Sequence, residues 1–182
     1  MTEQKLHAPY TRVEKLASRL KRSSAEHGYR GLWGLVRYSV GYLSNFYLNL
    51  LAILMPYSGP RVIIHKLRGV KIGKNVLIGF NVTLDNTYPH LITIKDGVSL
   101  AGNNLILVHS RPAEYHQRNF DAYIAPVVLE KNVWITAGVI ILAGVTVGEG
   151  SVIAAGSVVS DNIPPHCLAA GNPARLIKKL EI

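Results

Sequence analysis

The chain has 182 residues, and 48% hydrophobic against 17% charged residues is enough for one cored domain with an appendage. A single cysteine, Cys167, excludes an intrachain disulfide and a four-thiolate zinc site, and suits a reducing compartment. The formal charge of +9 is uneven: residues 1–37 carry eight Lys/Arg against three Glu. Elsewhere the basic residues are not interleaved with stacking aromatics and no nucleic-acid motif occurs, so nucleic acid is not the expected partner.

Residues 1–30 are polar and basic with a helical pattern: Val13, Leu16 and Leu20 recur at spacings of three and four among Arg12, Lys15, Arg19, Lys21 and Arg22. Residues 38–60 carry no charge. Their apolar centre, Phe46 to Met55, is short, is broken by Asn49, and ends at Pro56 and Gly59, and Ser39, Gly41, Ser44 and Asn45 dilute the run before it. Tyr38, Tyr42, Tyr47 and Tyr57 decorate the run. A membrane span is disfavoured on length and polarity, and a signal peptide because the apolar part starts too late. Two readings stay open. One is an amphipathic helix lying in a membrane interface beside the basic segment. The other is a helix packed on the following domain or on a partner subunit. Residues 1–60 are therefore set apart from a second region, 61–182.

Residues 61–71 bridge into a repeat. From Leu129, steps of six meet Ile135, Ile141, Val147, Ile153 and Val159. Four residues after each of the first five stand Val133, Val139, Val145, Ser151 and Ser157. Neither an α-helix nor an alternating strand has a period of six. Such a period is one face per repeat of a parallel β-helix, each aliphatic stacking on the one a coil below. The register extends back through Ile72, Ile78, Leu84, Ile94, Leu100 and Ile106, giving twelve positions and about four triangular coils. It fails twice. Four extra residues intrude around Tyr88-Pro89-His90, and a polar loop at about 110–126 separates Ile106 from Leu129. Loops that interrupt a rigid repeat are where function concentrates. Ile163-Pro164-Pro165 ends the pattern, and Ala174 to Ile182 reads as a short helical or extended basic tail.

The repeats, Asn132-Val133-Trp134-Ile135, Ala155-Gly156-Ser157-Val158-Val159 and Ala170-Gly171-Asn172-Pro173-Ala174-Arg175 together resemble the hexapeptide-repeat acyltransferases, in particular the sugar O-acetyltransferases. The resemblance covers about residues 61–180. It implies a left-handed parallel β-helix, a homotrimer, and acetyl-CoA held in a groove between neighbouring subunits. It implies a saccharide acceptor, which the apolar, basic N-terminal region extends to a lipid-linked or surface-polysaccharide sugar, and a cytoplasmic enzyme, at most peripheral on the inner face of the membrane.

Acetyl transfer from a thioester to a hydroxyl requires a base, because an alcohol is a poor nucleophile near neutral pH. It requires neither a metal nor a covalent intermediate. The best base is His109, at the end of a repeat strand where the long loop begins, and the family's histidine stands at the matching point. His116, inside the loop, is placed on the acceptor side with Asp85 and Asn86; Asp85 or Glu114 is also a candidate to orient the imidazole. His65, His90 and His166 read as structural or surface residues. Small-sugar enzymes of the family carry an asparagine where this chain has Gly79, which leaves the acceptor open. On the donor side the resemblance assigns Trp134 to the pantetheine groove and the backbone N–H groups of Ala137 and Ala155 to its amides. Ser160 falls at the CoA end, with Arg175 and Lys178 on the CoA phosphates. Two other classes share the fold: a γ-carbonic-anhydrase-like zinc enzyme, needing three converging histidines, and a non-catalytic scaffold.

Overall fold

Each six-residue repeat becomes a two-residue strand and a corner. The computed structural model describes residues 30–181 together with Lys21, Ser24 and Gly28. The helical pattern expected around Val13 to Leu20 lies outside the described residues. The chain divides into two units, Met1–Ser44 and Asn45–Ile182.

Helix α1 spans Gly31–Leu54 and helix α2 spans Ser58–Leu67. Pro56 separates them, since proline excludes its predecessor from helical geometry. The chain then re-enters a helix two residues later, so most of the segment expected as a bridge from residue 61 is helical. Among the described residues no helix is long and apolar enough to cross a membrane.

The β-helix follows in order. The first coil is β1 (Lys71–Ile72), β2 (Leu77–Ile78) and β3 (Thr83–Leu84); the second is β4 (Ile92–Ile94), β5 (Ser99–Leu100) and β6 (Leu105–Ile106). An arm of two short antiparallel strands, β7 (His109–Ser110) and β8 (Tyr123–Ile124), then leaves the body. It is the loop predicted at 110–126. The third coil is β9 (Val127–Leu129), β10 (Trp134–Ile135) and β11 (Ile140–Ile141); the fourth is β12 (Thr146–Val147), β13 (Val152–Ile153) and β14 (Val158–Val159). Three parallel faces result: β1-β4-β9-β12, β2-β5-β10-β13, and β3-β6-β11-β14. This is the parallel β-helix of four coils that the register predicts, with the left hand that the resemblance implies. A fifth coil begins at Ile163, which bridges Val147, and continues into β15 (Cys167–Gly171). β16 (Ala174–Lys179) folds back antiparallel on β15, so the tail is extended rather than helical.

The period has a packing cause. Ile94 pairs with Ile72 below and Leu129 above, and Leu129 with Val147, so aliphatics stack coil on coil. Leu129, Ile135, Ile141, Val147, Ile153 and Val159 are all fully buried. The small residues four places on are buried too. Ser151 and Ser157 are accommodated because each hydroxyl donates to a carbonyl (Pro164 and Ala154) and accepts an N–H (Cys167 and Gly171). The residue just before each small one turns the corner in left-handed backbone geometry, as at Asn132 (φ 58°) and Gly138 (φ 70°). Only Asn and Gly adopt that conformation readily, and this fixes the fourth letter of the repeat.

Candidate active site

The two failures of the six-residue count meet. β3 and β6 are neighbouring rungs of one face, with Leu84 opposite Ile106. Asp85 follows β3 and His109 lies three residues beyond Ile106, so two interruptions of the repeat, 24 residues apart, become adjacent. His109 Nδ1–H donates to Asp85 Oδ2 at 2.6 Å. The Asp85 side chain is fully buried, while a third of the His109 side chain is exposed.

Asp85 is saturated. Its Oδ1 accepts the N–H groups of Thr87 (2.8 Å) and Tyr88 (3.1 Å), and its Oδ2 also accepts that of Val108 (3.0 Å). Four donors converge on two oxygens, the full capacity of an ionised carboxylate. An acceptor-only Asp85 fixes the proton of His109 on Nδ1 and leaves the Nε2 lone pair as base. The Tyr88 ring stands edge-on to the imidazole at 5.5 Å and limits its rotation. Asp85, one of the expected orienting carboxylates, is on the imidazole. That corrects its expected place on the acceptor: buried, with every lone pair engaged, it has nothing left to offer a sugar.

Beneath Asp85 lies a residue the sequence reading did not single out. Arg68, one residue past α2, is buried. Its Nη2 donates to the carbonyls of Leu84 (3.0 Å) and Asp85 (2.9 Å) and to Asn86 Oδ1 (2.8 Å). Its Nε donates to Asn45 Oδ1 (2.6 Å), and its Nη1 to Asn49 Oδ1 and His65 Nδ1 (both 2.8 Å). Burial lowers the Arg68 pKa to about 10, against the nearby Asp85 charge, which raises it. Arg68 is thus a cation at neutral pH holding the strand end that carries Asp85. Burial, and secondarily Arg68, depress the His65 pKa to about 3. His65 is neutral with its proton on Nε2, because Arg68 can only donate to Nδ1. That Nε2 is buried without a partner. The signal was present: Arg61, His65 and Arg68 recur at four and three residues, one stripe of a helix.

Comparison with known proteins follows the same lines. Residues 126–161 match the family model "Bacterial transferase hexapeptide (six repeats)", and residues 69–106 match "Hexapeptide repeat of succinyl-transferase". The chain is 40% identical over 112 residues to the galactoside O-acetyltransferase of Escherichia coli K12, covering 61% of this chain and 54% of that protein. It is 30% identical to a maltose O-acetyltransferase of Clostridium difficile 630, with a TM-score of 0.64 over 80% of this chain and 89% of the other. The chain belongs to the hexapeptide-repeat acyltransferases, in the sugar O-acetyltransferase group. A hexapeptide-repeat acetyltransferase of Vibrio cholerae O1 biovar eltor, complexed with acetyl coenzyme A, superposes with a TM-score of 0.65 at 25% identity, covering 79% of this chain and 89% of that one. The chain spans about half the length of the curated relatives it matches.

The other expected residues of this family member fall in distinct places. Asn86 is half-buried, its Oδ1 on Arg68 and its carbonyl on Asn45 Nδ2. His116 lies in the exposed turn Glu114–Arg118 of the arm, edge-on to Tyr115. Trp134 is half-exposed on β10. Ala137 and Ala155 occupy the same corner one coil apart, where the Gly156 N–H meets the Ala137 carbonyl. Both are exposed, and their N–H groups have no protein partner among the described residues. Ser160 Oγ donates to Asp161 Oδ2, which also receives Arg175 Nη1 at 3.2 Å. A bulge in the β15–β16 ladder matters here. Arg175 pairs with Ala170 and Lys178 with Leu168, two residues apart on β15. The bulge therefore puts Arg175 and Lys178 on one face, where a regular strand would separate residues three apart. Among the described residues no cluster of three His, Cys, Asp or Glu could hold a metal ion.

Proposed function

We propose that this protein transfers the acetyl group of acetyl-CoA to a hydroxyl of a saccharide, with His109 as general base. The observation that carries the proposal is the Asp85–His109 pair: a buried, fully hydrogen-bonded carboxylate on Nδ1, and Nε2 at the end of a repeat strand where the arm departs. Nε2 takes the hydroxyl proton as the oxygen attacks the thioester carbonyl. The tetrahedral oxyanion is held by backbone N–H donors and collapses with loss of the CoA thiolate, which takes the proton back from Nε2. Ion-pairing with Asp85 stabilises the imidazolium that exists between these steps.

The donor assignment rests on Trp134, the unpaired N–H groups of Ala137 and Ala155, and the shared face of Arg175 and Lys178. These present an aromatic wall, two amide-binding donors and two cations in a series suited to pantetheine and phosphates, with Ser160 beside Arg175. The working form is a homotrimer, with each donor groove closed by a neighbouring subunit. Asn86 and His116 are the acceptor-side residues, and the acceptor is a lipid-linked or surface-polysaccharide sugar handled on the cytoplasmic side.

The test is steady-state CoA release with a panel of saccharides, for the wild type and His109→Ala. A fall of about 10²-fold or more in kcat for the variant supports the assignment. Equal rates would remove His109 as the base. Light scattering reads the trimer directly.

A further inference from the structure

Helices α1 and α2 carry their polarity inside out. On α1 the buried residues are Asn49 and Ala52, and Asn45 and Asn49 serve Arg68. The outward positions are Tyr47 (63% exposed), Leu50 (45%) and Leu54 (63%). On α2, Arg61 and His65 are buried together with Ile64, while Ile63 (60%) and Leu67 (71%) are exposed beside Lys66. Arg61 is turned in to donate to the carbonyls of Met55 and Ile78. Within the first unit, Leu32, Trp33, Val36, Val40 and Leu43 of α1 are likewise exposed.

A helix whose outer side faces water has the opposite arrangement. Single exposed apolar residues mean little, but two successive helices reversed in the same sense need a cover. Charge selects the cover. No charged residue lies between Arg37 and Arg61, and the segment just before, residues 1–37, carries a net +5. A two-fold contact with a second copy would bring the same positive segment against the first, whereas an anionic lipid surface complements it. Tyr42, Tyr47, Tyr57 and Trp33 are exposed on this stretch, and such side chains favour the boundary between headgroups and acyl chains. Neither helix can cross the bilayer, so the fit is in-plane.

We propose that the outward sides of α2 and of the part of α1 from Asn45 to Leu54 dock on the surface of an anionic bilayer. The inference goes beyond acetyl transfer and does not depend on it.

The experiment is flotation of the full chain with vesicles of phosphatidylcholine alone and of phosphatidylcholine with phosphatidylglycerol. The wild type is expected to float with the anionic vesicles at least about tenfold better than with neutral ones, and to be released by salt. Leu50→Glu with Leu54→Glu places charge on the outer side, at two partly exposed positions, and is expected to reduce flotation by about tenfold or more. The far-ultraviolet circular dichroism and melting temperature stay at wild-type values, which shows that the variant is folded and separates this question from the catalytic one. Three results overturn the proposal. The wild type does not float, or the folded variant floats as well as the wild type. Or the variant lowers the oligomer mass while neither protein binds vesicles, which assigns the apolar side to a second copy.

Discussion

Asp85→Asn tests the dyad with almost no change in volume. The wild-type carboxylate receives two donors on each oxygen. An amide has one oxygen, so its NH₂ must face donors in either orientation. Turned toward Thr87 and Tyr88, it opposes two backbone N–H groups. Turned toward Val108 and His109, it opposes one N–H and can be accommodated only if His109 gives up its Nδ1 proton and accepts from the amide. The second arrangement strands fewer groups, so it is the expected one. It leaves one buried donor without a partner, at a cost of about 1–3 kcal/mol. It also forces the proton to Nε2, the atom needed as base. A base locked in the wrong tautomer loses about 10²–10⁴ in kcat, on the scale seen when a serine-hydrolase triad aspartate becomes asparagine. Thermal melting gives the first quantity and thiol-detected CoA release the second. The KM for acetyl-CoA is expected within about twofold of wild type, because no donor-side group is altered. In the Asp85→Asn/His109→Ala double variant, kcat is expected to be no lower than in His109→Ala alone, since the carboxylate acts only through the ring. A folded Asp85→Asn protein with kcat within about threefold of wild type refutes the reasoning.

Three further outcomes follow from the same geometry. The His65 pKa is about 3 in the fold against an ordinary 6.5, so the unfolded chain binds the proton first; His65 contributes stability fully above 6.5 and loses it as pH falls toward 3, by up to about 1.4 kcal/mol per pH unit. Melting as a function of pH is expected to show a shallower acid limb in His65→Gln, which keeps an acceptor for Arg68 without a titrating ring. Arg68→Met leaves the carbonyls of Leu84 and Asp85 and three asparagine partners without their donor; chemical denaturation is expected to show a loss of about 3–5 kcal/mol. Arg175→Ala with Lys178→Ala is expected to raise the KM for acetyl-CoA by about tenfold or more with kcat within about twofold, and an unchanged KM removes these residues from the donor site.

The coil was legible because its cause is local and repeated. An aliphatic recurs every six residues at twelve positions, and each votes for the same register; the Asn or Gly at most corners was a further sign that the reading did not use. The dyad was half legible. His109 stood out by chemistry and position, but the partner of its ring was left between Asp85 and Glu114. Once rungs are known to stack, the choice narrows: Leu84 lies under Ile106, so the residue after Leu84 meets the chain just before His109. Sequence separation hides a contact that coil arithmetic reveals. The donor-side pair shows the opposite limit. Nothing in the sequence announces the bulge that puts Arg175 and Lys178 on one face.

The two helices resisted reading for a physical reason. Hydrophobic periodicity locates a helix face but assumes that the apolar side is the inner one. Here the inner side carries the cations. Arg61 and Arg68 cap carbonyls of the first coil that no rung beneath is present to bind, Ile78 by Arg61 and Leu84 by Arg68. The end of a β-helix presents a row of open acceptors. Guanidinium groups supply several donors each without continuing the ladder. With the first coil capped by polar side chains, few apolar residues of the two helices, among them Ala52 and Ile64, find room on the inside, and most are left on the outside. The same choice brings Arg68 under Asp85. The N-terminal helices are thus part of the active site's support, and an apolar outer surface follows from it.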